Sequence, residues 1–249
     1  MKTLLFFAIP LLVLNFGCSN NSGPGTNNSN ALASGSAYLP LPDNALWTAH
    51  ITGTDSEFDA SGSLSQTEQT DADYKASLGI AQQRGGRSVF PLFSFEQNGQ
   101  ITNDGNAVGY GFSADSEVLG FNESDANDAA TILPKTLSVG LTWTPAPEAS
   151  PIQCQATLAQ HLSSFTNKGG TSYNDVIQVH VTYFDSSSYQ YSDTSMAKYS
   201  ANVDFYFANG TGLVEADVHH FEILKFDRYY GYYSEFQHSI GSGTVYRKN

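Results

Sequence analysis

The chain reads as all-β: one large, curved antiparallel β-sheet or half-open β-sandwich or barrel with few short helices. Three observations predict this. Aromatic content is high, with 16 Phe and 14 Tyr, and such residues favour pleated, half-buried surfaces. Apolar residues recur with period two, and no stretch keeps helical spacing for three turns. Turn signals punctuate the runs: Gln97-Asn98-Gly99-Gln100, Asn103-Asp104-Gly105-Asn106, Lys168-Gly169-Gly170 and Asn209-Gly210.

Taken in order, residues 1–17 form a leader. Lys2 precedes an apolar run from Leu4 to Leu14. The run falls short of the roughly 20 residues a membrane span needs and has the layout of a secretory signal. Its end, Gly17-Cys18, resembles the cleavage box of bacterial lipoproteins, with Asn15 where that box usually has Leu. The resemblance implies that Cys18 is lipidated. Ser19 follows in place of the inner-membrane retention Asp, which implies the outer membrane. Residues 18–37 then read as a tether rich in Asn, Ser and Gly. Its polar start cannot build a core, and as a flexible coil it would span roughly 25 Å. A single β domain over 38–249 follows.

Within that domain, Val176 to Tyr183 alternates, with Ile177, Val179, Val181 and Tyr183 on one face and Gln178, His180 and Thr182 on the other. Val203, Phe205 and Phe207 share a face in 201–207. Both patterns predict strands with one buried face, as in antiparallel sheets. Further strands are expected at 45–53, 73–82, 87–96, 107–113, 152–165, 213–226 and 232–247. Short helices are candidates near Ala126–Ile132 and Ser192–Lys198. Gly210 and Gly212 mark a tight connection that needs positive φ.

Three segments resemble a group of uncharacterised bacterial lipoproteins and secreted β proteins. Tyr38-Leu39-Pro40-Leu41-Pro42-Asp43-Asn44-Ala45-Leu46-Trp47 is similar to the group's opening Y-x-P-L-x-x-G-N-x-W, with Asp43-Asn44 taking the turn. Leu133 to Thr144 is similar to a mid-domain P-L-x-x-G-x-x-W. Tyr206 to Glu215 is similar to W-Y-A-x-G-V-G-L-V-K, with Thr211 and Glu215 departing from it. The resemblance implies a long curved antiparallel sheet and no activity. The first two segments also echo each other over Leu41–Thr48 and Leu137–Thr144, which predicts Trp47 and Trp143 as strand-entry anchors packed on the core.

The charge is −13, from 11 Lys and Arg against 24 Asp and Glu. Such a balance opposes binding of nucleic acid, whose phosphates need a basic footprint. It also opposes an electrostatic membrane patch, so membrane contact is expected through the N-terminal lipid. With Cys18 lipidated, Cys154 stands alone in a strand-like run and reads as a small buried hydrophobe. Without lipidation, a Cys18–Cys154 disulfide is open to an exported chain.

Candidate chemistry is sparse. His180, His219 and His220 are the metal candidates, but no His-Glu-x-x-His or Cys-x-x-Cys exists. Adjacent strand residues point to opposite faces, so His219 and His220 are not expected to share an ion. Pairing across strands could still bring His180 to one of them, with Asp217 or Glu222 as third ligand. Asp115, Glu117, Glu123, Asp125 and Asp128 form an acidic run that lacks the spaced calcium-loop pattern. Asp71 and Asp73 are a smaller acidic pair. No Gly-x-Ser-x-Gly elbow is present. Tyr229, Tyr230, Tyr232 and Tyr233 could form an aromatic binding surface. The expectation is therefore a lipid-anchored envelope protein with a non-enzymatic binding or structural role, with no cofactor, no catalytic residue and no metal. Its partner would be an envelope protein, a glycan or a hydrophobic ligand. The alternatives are a carrier holding a hydrophobic ligand on a concave sheet, and an envelope glycan hydrolase built on paired carboxylates.

Overall fold

The computed structural model describes residues 32–248, except 60, 85, 96–108, 122–129, 146–151, 186–188, 193–194 and 230–231. Only the backbone is described at 93–95, 109, 121, 152–153, 184–185, 189–192, 195–199, 223–229 and 232–237. Cys18 and Tyr230 lie outside the described residues, as do the side chains of Tyr229, Tyr232 and Tyr233.

The chain opens with a four-residue helix, α1 (Gly35–Tyr38), and continues through strands. These are β1 (Leu46–Phe58), β2 (Leu64–Leu78), β3 (Gln82–Arg84), β4 (Arg87–Phe95), β5 (Gly109–Ala114), β6 (Glu117–Phe121) and β7 (Ala130–Leu133). They continue as β8 (Thr142–Trp143), β9 (Ile152–Thr166), β10 (Ser172–Asp185), β11 (Tyr189–Ser192), β12 (Ser195–Ala208), β13 (Gly212–Tyr229) and β14 (Tyr232–Lys248). All pairings are antiparallel, in the order β7-β6-β5-β4-β2-β1-β14-β13-β12-β10-β9-β8, with β11 beside β12 and β3 beside β4. The two edge strands, β7 and β8, are consecutive in sequence, so residues 134–141 bridge the gap between the sheet's edges. The sheet curls until it is nearly closed like a barrel.

The apolar face lies inside the curl. One cluster joins Val118, Ile132 and Leu133 at one edge to Cys154, Leu158, Val181, Val203, Phe205 and Val218 many strands away. Residues so distant along the sheet meet only if the sheet wraps around the face they share. The alternations expected in β10 and β12 are found there: Val179, Val181, Val203 and Phe205 are buried. Cys154 is buried and reduced, and burial pushes its thiol up to about 12. Trp143 is half-buried and packs against the same cluster. Trp47 is half-buried as well.

Register assigns the connections to two ends. The turns at 115–116, 134–141, 167–171 and 209–211 lie at one end, with the β3–β4 hairpin and the start of β1. That end is plugged by the N-terminal segment. Gly35 N–H donates to Pro134 O (3.1 Å), Ser36 N–H to Ser116 O (3.0 Å), and Gly210 N–H to Ala37 O (2.7 Å). Tyr38 is fully buried, and its hydroxyl donates to Asp175 Oδ1 at 2.6 Å. Gly35 has no room for a side chain, since a Cβ would meet Leu133 O at 2.5 Å. Leu32 and Ala33 also pack on the core. The expected tether boundary is corrected here: Leu32–Ala37 belongs to the packed body. Its Leu and Ala residues and Gly35 suit the plug, and the polar residues before them do not.

Three other expectations are revised. Ala130–Leu133 is strand β7, not helix, because Ile132 and Leu133 fill the core from an edge. The 192–198 helix is replaced by the end of β11 and the start of β12. The β1–β2 hairpin extends beyond the expected 45–53 and 73–82, to Phe58 and from Leu64. Turn chemistry agrees with the sequence: Asn44 has φ 54, Gly210 φ 71 and Gly212 φ 95.

Candidate functional site

The outward face of β10, β12 and β13 carries the densest arrangement of ionisable side chains among the described residues. In the register, Asp204 of β12 sits between His180 of β10 and Asp217 of β13. Asp204 Oδ1 lies 2.8 Å from His180 Nδ1, and Oδ2 lies 2.6 Å from His219 Nε2. The carboxylate thus bridges two histidines and is itself only 8% exposed. Burial alone would raise its pKa, but hydrogen bonds from His219, His180 and Gln178 outweigh that and hold it below the usual range.

A β-bulge makes this bridge. In β13 the register slips from Asn202↔His220 to Val203↔Val218, leaving His219 as the extra residue. Against β14 it jumps from Val218↔Gly243 to Phe221↔Gly241. Val218 and Phe221 both face the core, so His219 and His220 both face outward. The expectation that they point to opposite faces is corrected: strict alternation fails where a bulge inserts a residue. No sequence signal announced that bulge.

The pattern recurs around the wall. Glu222 Oε1 lies 2.7 Å from His238 Nε2, and Oε2 lies 3.8 Å from His220 Nε2. His50 lies 2.6 Å from Asp73 and 3.1 Å from Asp71. His161 Nε2 lies 2.8 Å from Asp175. Each of the chain's 6 histidines therefore has a carboxylate partner. Asp71 and Asp73 are accounted for by His50 and by Lys248, whose Nζ lies 2.6 Å from Asp73.

The metal candidates do converge in part. His180 and His219 meet through Asp204, while His220 turns to Glu222. No group of three or more His, Cys, Asp or Glu with metal-holding geometry occurs among the described residues. Asp217 instead accepts from Thr244 Oγ1 at 2.7 Å and pairs with Lys168 at 3.3 Å. The acidic run after β5 is divided. Asp115 pairs with Lys135 at 2.7 Å and Glu117 accepts from Thr131 at 2.6 Å. Glu123, Asp125 and Asp128 lie outside the described residues.

Two arrangements approach catalytic geometry. His180 Nε2 stands 3.4 Å from Thr182 Oγ1, which with Asp204 gives an acid–base–hydroxyl sequence. A working triad also needs donors aimed at an oxyanion. Thr182 lies in β10 between β9 and β12 and is paired with Gln155 and Asn202, so the backbone beside the hydroxyl is committed to the ladder. Glu215 and Asp217 form the other pair. Burial raises the Glu215 carboxyl, and the Lys168 backbone amide, 2.6 Å from its Oε2, offsets part of this. The 167–171 turn caps Glu215, with Asn167 Nδ2 donating to Arg247 O at 2.9 Å. Glu215 is 4% exposed, so a substrate does not reach it. The concave face that a carrier would offer is occupied at the plugged end by Tyr38, Leu39, Leu133 and Leu137.

No protein-family model matches the sequence, and neither does any curated protein sequence. Among solved structures, the chain has a faint likeness to OmpT, an outer membrane protein of Vibrio cholerae. A loop L8 deletion form is 8% identical with a TM-score of 0.19, covering 83% of this chain and 100% of that one. The in-vitro folded form is 8% identical with a TM-score of 0.20, covering 84% and 99%. Scores this low do not establish a common fold.

Proposed function

We propose that the protein is a lipid-anchored envelope protein, attached through Cys18, whose barrel-like domain has a non-enzymatic binding or structural role. One observation carries this: the polarity of the wall. Apolar side chains of distant strands pack inward on one another, while His180, Asp204, His219, Asp217 and Glu222 face outward. A barrel that spans a bilayer needs an apolar band on its outside. Ionised side chains at bilayer depth are costly. A wall built this way sits in water, so membrane attachment falls to the leader's Cys18. A diacylglyceryl group there supplies the two chains that stable anchoring takes. Ser19 directs the anchored chain to the outer membrane.

The test is fractionation of Cys18→Ala. It is expected in the soluble fraction with its fold intact by circular dichroism. Retention in the membrane fraction would mean that the strands themselves hold the bilayer, and would overturn the proposal.

A further inference from the structure

The barrel closes on a short strand and leaves a long one half covered. β9 pairs with β10 along its length. On its other side β8 reaches only Ala156 and Thr157. The cover extends one residue further, where Gly140 N–H donates to Leu158 O (2.8 Å) and Leu158 N–H to Leu141 O (2.9 Å). Beyond Leu158 that edge has no backbone partner among the described residues. Alternation tells which groups point out along it. Leu158 turns its N–H and C=O away from β10, and Asn167 N–H donates across the hairpin to Thr171 O at 2.9 Å. From both ends, the residues in phase with Leu158 are Gln160, Leu162, Ser164 and Thr166. Their N–H and C=O groups line the open edge. Gln160, Ser164 and Thr166 are exposed and Leu162 is half-buried.

An open edge is a template for another strand, and native proteins blunt such edges with charge, proline or bulges. β2 shows the protection. It pairs with β4 only from Lys75, and its open stretch carries Glu68, Asp71 and Asp73. β9 lacks it. Its 15 residues, Ile152–Thr166, include no Asp, Glu, Lys, Arg, Pro or Gly. Its bulge, at Ala159, falls where the cover ends and not within the open stretch.

Charge selects the occupant. Copies of a chain with a net charge of −13 repel one another over most of their surface. They can meet along a strip with no acid, and the β9 edge is such a strip. Antiparallel pairing about a two-fold at Ser163 sets Gln160 against the partner's Thr166, His161 against the partner's Phe165 and Leu162 against the partner's Ser164. No like charges face each other, and the outward N–H and C=O groups of the two strands meet in register. We infer that two copies of this chain join β9 to β9 over Gln160–Thr166 into one continuous sheet.

The paired stretch spans about 24 Å and forms about eight backbone hydrogen bonds. It is smaller than the interfaces of permanent dimers, so the dimer is concentration-dependent. The contact needs neither lipid nor membrane.

The test uses the full chain in detergent micelles, followed by sedimentation over a rising concentration series. The wild type is expected to pass from monomer to dimer, with the amides of Gln160, Leu162, Ser164 and Thr166 gaining protection from hydrogen exchange in the dimer. Ser163→Cys should oxidise to a disulfide dimer, because Ser163 meets its own copy as a non-hydrogen-bonded pair with Cα atoms about 4.5 Å apart. Ser61→Cys, on the exposed β1–β2 turn, should not. Ser164→Pro should stay monomeric; its N–H points away from β10, so the β9–β10 ladder keeps its bonds. Ser163→Lys guards against a failure of that variant to fold. It sets like charges opposite each other on an exposed site and should weaken dimerisation by up to about fivefold, recovering at about 1 M salt. A wild type that stays monomeric at its highest soluble concentration overturns the inference. So does a dimer that survives Ser164→Pro, or one that Ser61→Cys cross-links as well as Ser163→Cys. Protection of the four amides in a monomer bound to a different polypeptide would give the edge to another partner and overturn it too.

Discussion

The wall formed by β9, β10, β12 and β13 and the outer half of the β1–β2 hairpin are both long antiparallel ladders, held for different reasons. In the wall, alternate residues over 154–158, 177–183 and 201–207 are apolar and buried, and Val179, Val181, Val203 and Phe205 join one core. In the hairpin, Thr52 to Phe58 faces Leu64 to Asp71, and most of these positions are exposed or half-exposed. What keeps β1 extended is pairing on both sides, since each residue from Thr48 to Phe58 has a partner in β14 and the same span is paired with β2. Burial defines the first strand set. A template strand defines the second. The wall should therefore lose most from side-chain truncation, and the hairpin should lose least.

The largest effect is expected from Phe205→Ala. It empties a fully packed site and should cost about 3–5 kcal/mol, read from chemical denaturation. A loss near zero would break the comparison. Next comes Gly35→Ala. The added Cβ would lie 2.6 Å from Pro134 O, a backbone atom that cannot swing aside, and overpacking of this kind costs about 1–3 kcal/mol. Thermal melts should show it, and limited proteolysis should cut nearer the N-terminus.

Two carboxylates sharpen the comparison through pH, with opposite signs. Asp204 is held below its ordinary pKa, so its contribution is present above the unfolded value of about 3.9 and is lost as pH falls through the folded value. Asp204→Asn should destabilise at pH 7, by about 1.5–3 kcal/mol if the charged hydrogen bonds are lost. That difference from wild type should vanish in acid. Glu215 is raised by burial. Its protonated form is favoured by folding, so its stabilising share is present below the unfolded pKa and is lost as pH rises through the folded one. Glu215→Gln should therefore be neutral or slightly stabilising at pH 7. Melts of both variants across pH decide the signs, and parallel curves for the two would refute the assignment. The smallest effect is expected in the hairpin: Leu64, 60% exposed, should tolerate Leu64→Ala within about 0.5 kcal/mol. Hydrogen exchange should meanwhile show residues 54–58 and 64–69 opening before the wall does.

Much of this protein is legible in its sequence, and the reason is local. Period-two patterns in Val176–Tyr183 and Ala201–Phe207 are strands because alternation is a property of the extended backbone itself. Gly210, Gly212 and Asn44 mark turns because positive φ is a property of single residues. Tertiary contact decided the rest. Nothing local distinguishes the polar hairpin extension from a loop; its pairing with β14 does. Leu32–Ala37 resembles the tether it follows until the barrel supplies Pro134, Ser116 and Gly210 as partners. Ala130–Leu133 and Ser195–Lys198 are too short and mixed to choose strand without a neighbouring edge. The His180–Asp204–His219 bridge depends on residues 24 and 15 positions apart and on a one-residue bulge. A bulge is settled by how three strands settle their registers together, a quantity that no window of sequence contains.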